Sequence, residues 1–201
     1  SCSNSAPSTE PAHREAYSSE AGDNKAKSRP KVLLLFSGNK NRPQGLMELL
    51  DGAGFRVHAY DNDRANGGTD RDDIRRDDVY ETLMRRVKRG DYVCIIAAPP
   101  CSTFSVCRFV TSADSPDGGP KPVRDWPNIT GLPCEENRAK ELHDANLITD
   151  RTVALLRAQR AVNGAFLLEN PASRRHEGPS FMTERHGSMW DYPAVAELAA
   201  I

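Results

Sequence analysis

The stretch "KVLLLFSG", residues 31–38, decides how this chain is read. Its apolar residues run without a break instead of alternating, the pattern of a strand buried on both faces of a parallel sheet. The run stops at a small turn in which Gly38 lets backbone approach a ligand closely and the N–H groups of a following helix start can donate to it. Upstream, residues 1–30 hold no Ile, Leu, Val, Phe or Trp, so they cannot offset the entropy of ordering and read as a disordered tail. The tail also lacks the apolar centre of a secretion signal. No stretch of the chain is long and apolar enough to span a membrane, which predicts a soluble, intracellular protein.

Downstream, strands and helices alternate. Pro43 stands at the start of a helix whose Leu46, Met47, Leu49 and Leu50 form an apolar face, with Gly52 or Gly54 to end it. "FRVHAY", residues 55–60, is a second strand, closed by the acidic turn "DNDRANGGTD". Residues 77–89 read as a helix, because Val79, Leu83 and Val87 recur at every fourth position. Acids stand in its first turn and Arg85, Arg86, Lys88 and Arg89 in its last, where cations complement the helix dipole rather than make a phosphate site. "YVCIIAA", residues 92–98, is a third strand, followed by a Pro- and Gly-rich span over 111–133. A long helix over 135–160 carries Leu142, Ile148, Leu155 and Leu156 on one side, and "AFLLEN", residues 165–170, is the last strand. This order predicts an α/β domain over residues 31–201, a Rossmann-like doubly wound parallel sheet in three layers.

In such sheets ligands bind beyond the carboxyl ends of the strands, so the residues found there carry the chemistry. The four ends read "FSGN", "YDND", "PPCSTFS" and "LENP". Asp61 follows the second strand, where nucleotide-binding α/β folds place an acid on ribose hydroxyls. Cys101 follows two prolines that fix its backbone, and Ser102 or Thr103 can cap a helix whose positive end would favour the thiolate of a nucleophile. Glu169 puts a carboxyl at a strand end beside an apolar wall, a place suited to proton donation. Cys94, inside the apolar run, reads as an inert core residue. The five cysteines form no CxxC pair, which argues against a disulfide framework and a thiolate zinc site.

Together, "FSG", the acid after the second strand, "PPCSTFS" and "LLENP" resemble, in order and spacing over residues 31–171, the motifs of the DNA cytosine-5 methyltransferase family. The resemblance implies a methyltransferase-type fold with S-adenosylmethionine held by Phe36, Ser37, Gly38, Asp61, Asp73 and Pro99. Asp73, in "DDI", approaches the adenine, with Asp78 competing for that role. Pro100 and Asn170 accompany the catalytic pair in their motifs. The implied reaction begins when Cys101 thiolate attacks carbon 6 of a flipped cytosine, while Glu169 hydrogen-bonds or protonates ring nitrogen 3. Carbon 5 then takes the methyl, and loss of its proton expels the enzyme without a metal. The partner is therefore DNA, which would place a eukaryotic protein in the nucleus. The span after Cys101, with Arg108, Lys121, Arg124 and Trp126, corresponds to the family's mobile loop.

The chain lacks the family's arginine-bearing motif, target-recognition domain and final cofactor motif, so residues 31–201 read as a C-terminally incomplete catalytic domain. A fragment, or a diverged member from a retroelement-type polyprotein, is the expectation. The alternative is a non-catalytic Rossmann-like nucleotide- or nucleic-acid-binding module derived from such an enzyme. Lys and Arg number 27 against 28 Asp and Glu, so any nucleic-acid binding must come from a local patch.

Overall fold

The unbroken apolar run becomes β1 (Lys31–Leu35) in a computed structural model that describes residues 29–110, 119–175 and 183–200. It pairs with β2 (Arg56–Tyr60) on one side and β3 (Cys94–Ala97) on the other, and β4 (Ala165–Leu168) lies beyond β3. All three pairings are parallel, with Leu35 beside Tyr60 and Ala97, and Ala97 beside Leu168. The carboxyl ends are therefore level, and their loops leave from one rim.

Strand order reverses at β1. Right-handed crossovers then put α1 (Leu46–Gly52) on one face and both α2 (Asp77–Lys88) and α3 (Glu136–Ala161) on the other. The packing agrees. Leu33, Leu35, Ile95 and Ala97 of the sheet share one core with Val79, Leu83 and Val87 of α2 and with Val153, Leu155 and Leu156 of α3. α4 (Pro193–Ala199) closes that core through Val195 and Leu198.

Among the described residues the opposite face is sparsely covered. Val32 and Leu34 are buried, but Leu167 is exposed, and α1 buries none of its residues. Leu49, expected on an apolar face, is 61% exposed. The expected three layers are thus two full layers and one short helix among the described residues. The reason is length: the seven residues of α1 span about 10 Å, too little to cover strands spaced about 5 Å apart across a four-stranded sheet.

Pro30 carbonyl accepts from Arg56 N–H at 2.9 Å, and Arg29 bonds the Asp51 carboxylate at 2.7 Å, so residues 29 and 30 belong to the fold rather than the tail. Residues 1–28 lie outside the described residues. At the end of α2, Arg89 and Arg86 approach Asp91 at 2.7 and 3.6 Å. The hydrogen bond from Arg89 leads in holding the Asp91 carboxyl at about 2, so these cations serve their own helix end. No described helix is long and apolar enough to cross a membrane.

The contrast between faces predicts that Leu83→Ala, in the core of α2, costs about 2–5 kcal/mol in urea unfolding. Leu49→Ala, on α1, stays within about 0.5 kcal/mol of the parent chain. Equal losses at both sites would contradict the one-sided core.

Candidate functional site

The rim is assembled from two clasps. The first joins the ends of β1 and β2. Phe36 takes φ 60, a left-handed conformation that costs a bulky residue about 1–3 kcal/mol. It persists because the N–H groups of Phe36 and Ser37 both donate to the Tyr60 carbonyl, at 2.7 and 3.3 Å. Gly38 then donates its N–H to Asp61 Oδ2 at 2.7 Å. Asp61 Oδ1 accepts from the Asp63 N–H at 2.8 Å, so this carboxylate, only 4% exposed, holds both turns. Gly68 closes against the same turn: a Cβ there would fall 2.0 Å from the Asp61 carbonyl oxygen.

A cavity of about 630 Å³ opens beside this clasp, with Phe36, Gly38, Asp61, Asp63, Ala98 and Pro100 in its walls. It lies over the ends of β2, β1 and β3, walled mostly by the turn after β2, at the point where strand order reverses and open α/β sheets bind ligands. Its size suits a small molecule. One expectation changes, however. α1 begins only at Leu46, and the N–H groups of Phe36, Ser37 and Gly38 are all used within the protein, so helix-start donors do not face a ligand at "FSG". Recognition falls to side chains.

Asp73 has another task. Arg75 grips its two carboxylate oxygens at 3.0 and 2.7 Å and reaches on to Asp144 of α3 at 2.8 Å. Burial pushes the Asp73 carboxyl up, but the bonds and charge of Arg75 prevail and hold it below the usual range. Its competitor Asp78 lines a neighbouring cavity of about 510 Å³ with Tyr60, Asp70 and Arg71.

The second clasp joins β3 to β4. Glu169 N–H donates to the Ala97 carbonyl at 2.9 Å, which continues the ladder past the strand ends. Buried Asn170 then donates Nδ2–H to the Pro99 carbonyl at 3.1 Å. The Pro-Cys loop and the Glu-Asn turn are thereby tied side by side on one rim. Cys101 is half-buried at the head of a single 3-10 turn, Ser102–Phe104. Here too the structure corrects expectation: Cys101 itself occupies the cap position, and three residues make no helix with an appreciable dipole. Glu169 is exposed to solvent rather than set against an apolar wall. Cys94 is half-buried, and that burial pushes its thiol up, in keeping with an inert residue.

Arg108 and Arg124, expected on a loop facing DNA, are instead internal braces for the Cys101 turn. Arg124 is 1% exposed and donates to the Ile129 carbonyl at 2.7 Å and to Thr103 Oγ1 and Asn146 Oδ1 at 3.0 Å each. Its guanidinium lies 3.8 Å from the Phe104 ring centre, and burial pushes its pKa down to about 10, so it stays charged at neutral pH. Arg108 donates to the Ser102 carbonyl at 2.7 Å and pairs with Glu141. Residues 111–118 of that span lie outside the described residues. Buried His186, which sequence reasoning missed, accepts from Arg174 N–H through Nδ1 and so donates from Nε2 to the Phe104 carbonyl, each at 2.8 Å.

Comparisons with family models, with curated proteins and with solved structures found no match to this chain. The class defined by the fold and rim is an α/β domain with a four-stranded parallel sheet and a ligand-sized crevice at its point of reversal.

Removing a brace should register in stability. Asn170→Ala leaves the Pro99 carbonyl unpaired and should cost about 1–3 kcal/mol in urea unfolding. Arg124→Met orphans three acceptors and should cost about 3 kcal/mol or more. A loss under about 0.5 kcal/mol at either position, the range of a surface change, would contradict the bracing role.

Proposed function

We propose that this chain is the catalytic domain of an S-adenosylmethionine-dependent methyltransferase acting on carbon 5 of cytosine in DNA. The observation that carries the reading is the bond from Asn170 to the Pro99 carbonyl, which ties the "EN" turn to the "PPC" loop next to the cavity at the strand reversal. The "EN" dipeptide, weak alone, thereby joins the more specific "PPC" motif in one local arrangement. Support comes also from the cavity: its volume accommodates a nucleoside-sized group, Phe36 offers an aromatic wall, and Asn62 and Asp63 offer polar side chains to ribose hydroxyls, while buried Asp61 holds the turn that presents them. When bound, S-adenosylmethionine supplies the electrophilic methyl that carbon 5 accepts.

The protein's own groups do the rest. A cytosine must leave the base stack before its ring carbons can be reached. Cys101 Sγ, as thiolate, forms a bond to carbon 6, and the ring's electron pair moves toward carbon 5. Glu169 holds or donates a proton at ring nitrogen 3, which takes up charge during that addition. Loss of the carbon-5 proton to solvent returns the electrons, breaks the bond to Sγ and frees the thiolate. Asn170 holds the Pro-Cys loop against the Glu-Asn turn, and Asp61 holds the turns after β1 and β2 together.

A second reading, a binding module without turnover, is favoured by one observation: Cys101 heads a single 3-10 turn and lacks a helix dipole to support its thiolate.

One assay separates the two. With S-adenosylmethionine and an oligonucleotide containing 5-fluorocytosine, whose fluorine blocks the last proton loss, the protein should form a covalent adduct visible by mass. Cys101→Ser should abolish it, and Glu169→Gln should slow it by about 10²–10⁴-fold. Binding of the donor by calorimetry without any adduct would establish the second reading and sink the first.

A further inference from the structure

We infer that Trp126 and Trp190 form a stacking surface for unpaired bases beside the Cys101–Glu169 rim, an inference that rests on the function proposed above. These are the chain's two tryptophans, and both are exposed, at 45% and 38%. Residues with this much apolar surface are highly buried on average, so two exposed indoles on one rim call for an explanation.

They are joined by a continuous set of contacts. Trp190 donates its indole N–H to the Pro171 carbonyl at 3.0 Å, which fixes it to the turn that carries Glu169 and Asn170. The next residue, Asp191, accepts from Arg175 Nη2 at 2.7 Å. Arg175 in turn lies 3.9 Å from the Trp126 ring centre, and the Trp126 backbone N–H donates to the Arg185 carbonyl at 2.9 Å. The two indoles are thus planar groups anchored through an edge or the backbone, on segments that also brace the Cys101 turn, and the Arg175 guanidinium, its side chain only 14% exposed, supports Trp126 from one side.

Planar aromatic and guanidinium groups recognise nucleobases by stacking, which tolerates any sequence. The base faces select the form of nucleic acid: a duplex stacks them away inside the helix, whereas an unpaired strand leaves them open to the indoles. Arg185 already bonds the Asp125 carboxylate at 2.8 Å, so stacking rather than phosphate contact carries the binding. A strand already unpaired also avoids the cost of extruding its cytosine from a duplex. The favoured substrate is therefore an unpaired strand or loop.

The chain has two tryptophans and five tyrosines, so fluorescence excited beyond the tyrosine absorption band reports on this surface. A deoxycytidine oligomer should quench it and bind at least about tenfold more tightly than the same strand annealed to its complement, since only the unpaired strand offers stacking faces. Trp190→Ala and Trp126→Ala should each weaken binding about tenfold, the loss of one base stack, while Trp190→Phe and Trp126→Phe should retain most of it. Equal affinity for both forms, alanine variants that bind like the parent chain, or emission that shifts with protein concentration alone, as at a self-association interface, would each overturn the inference. The adduct assay keeps the two claims apart. A protein that forms the adduct yet binds both oligomers alike retains the methyl-transfer reading and loses the stacking surface. One that is quenched selectively by the unpaired strand without forming an adduct keeps the surface and loses that reading.

Discussion

The position of β1 between β2 and β3 is the constraint on which the rest of the molecule depends. The chain leaves β1 toward one side of the sheet and later returns past it to the other, so the loops after β1 and β3 part company at the rim. That parting is the crevice. Asp61 stands on one side of it, with its carboxylate holding the turns after β1 and β2; Asn170 stands on the other, with its amide holding the loop after β3 to the turn after β4. Both are buried polar groups, and in a low-dielectric setting such bonds are costly to break and directional.

The same topology makes the molecule asymmetric. Two of its three crossovers run in the same direction and place α2 and α3 together, where α4 can join them, whereas the first places α1 alone. The core therefore gathers on one face, and the Cys101 turn is braced toward that face by Arg124, Arg108 and His186. Rim and core are not independent parts. Phe104, three residues past Cys101, belongs to the apolar core while its carbonyl and ring serve the braces.

Much of this was legible in the order of residues. Continuous apolar runs mark strands buried in a parallel sheet, and the helix of Val79, Leu83 and Val87 has both its period and its end charges. Strand ends then identify the rim. What periodicity lacks is any statement about the neighbour. The apolar residues of α1 satisfy a helical pattern but find no layer among the described residues to bury them, and Leu49 is exposed there. Arg124 was illegible for a different reason: arginine is ordinarily exposed, and its acceptors come from positions 103, 129 and 146, which only the fold brings together. Between Asp73 and Asp78 the fold shows a symmetry that spacing could not: Arg75 grips Asp73, Arg76 grips Asp78 at 3.1 and 3.2 Å, and neither acid lines the crevice at the strand reversal. The assignment of Asn170 to a positioning task likewise required the register of β3 and β4.

The central claim is that the crevice at the strand reversal receives the methyl donor. Titrating S-adenosylmethionine into isotopically labelled protein and following backbone amide resonances by NMR tests it directly. The account predicts saturable shifts concentrated at Phe36, Gly38, residues 61–66 and Ala98. Shifts confined to α1 and the sparsely covered face of the sheet, or none at saturating donor, would contradict it.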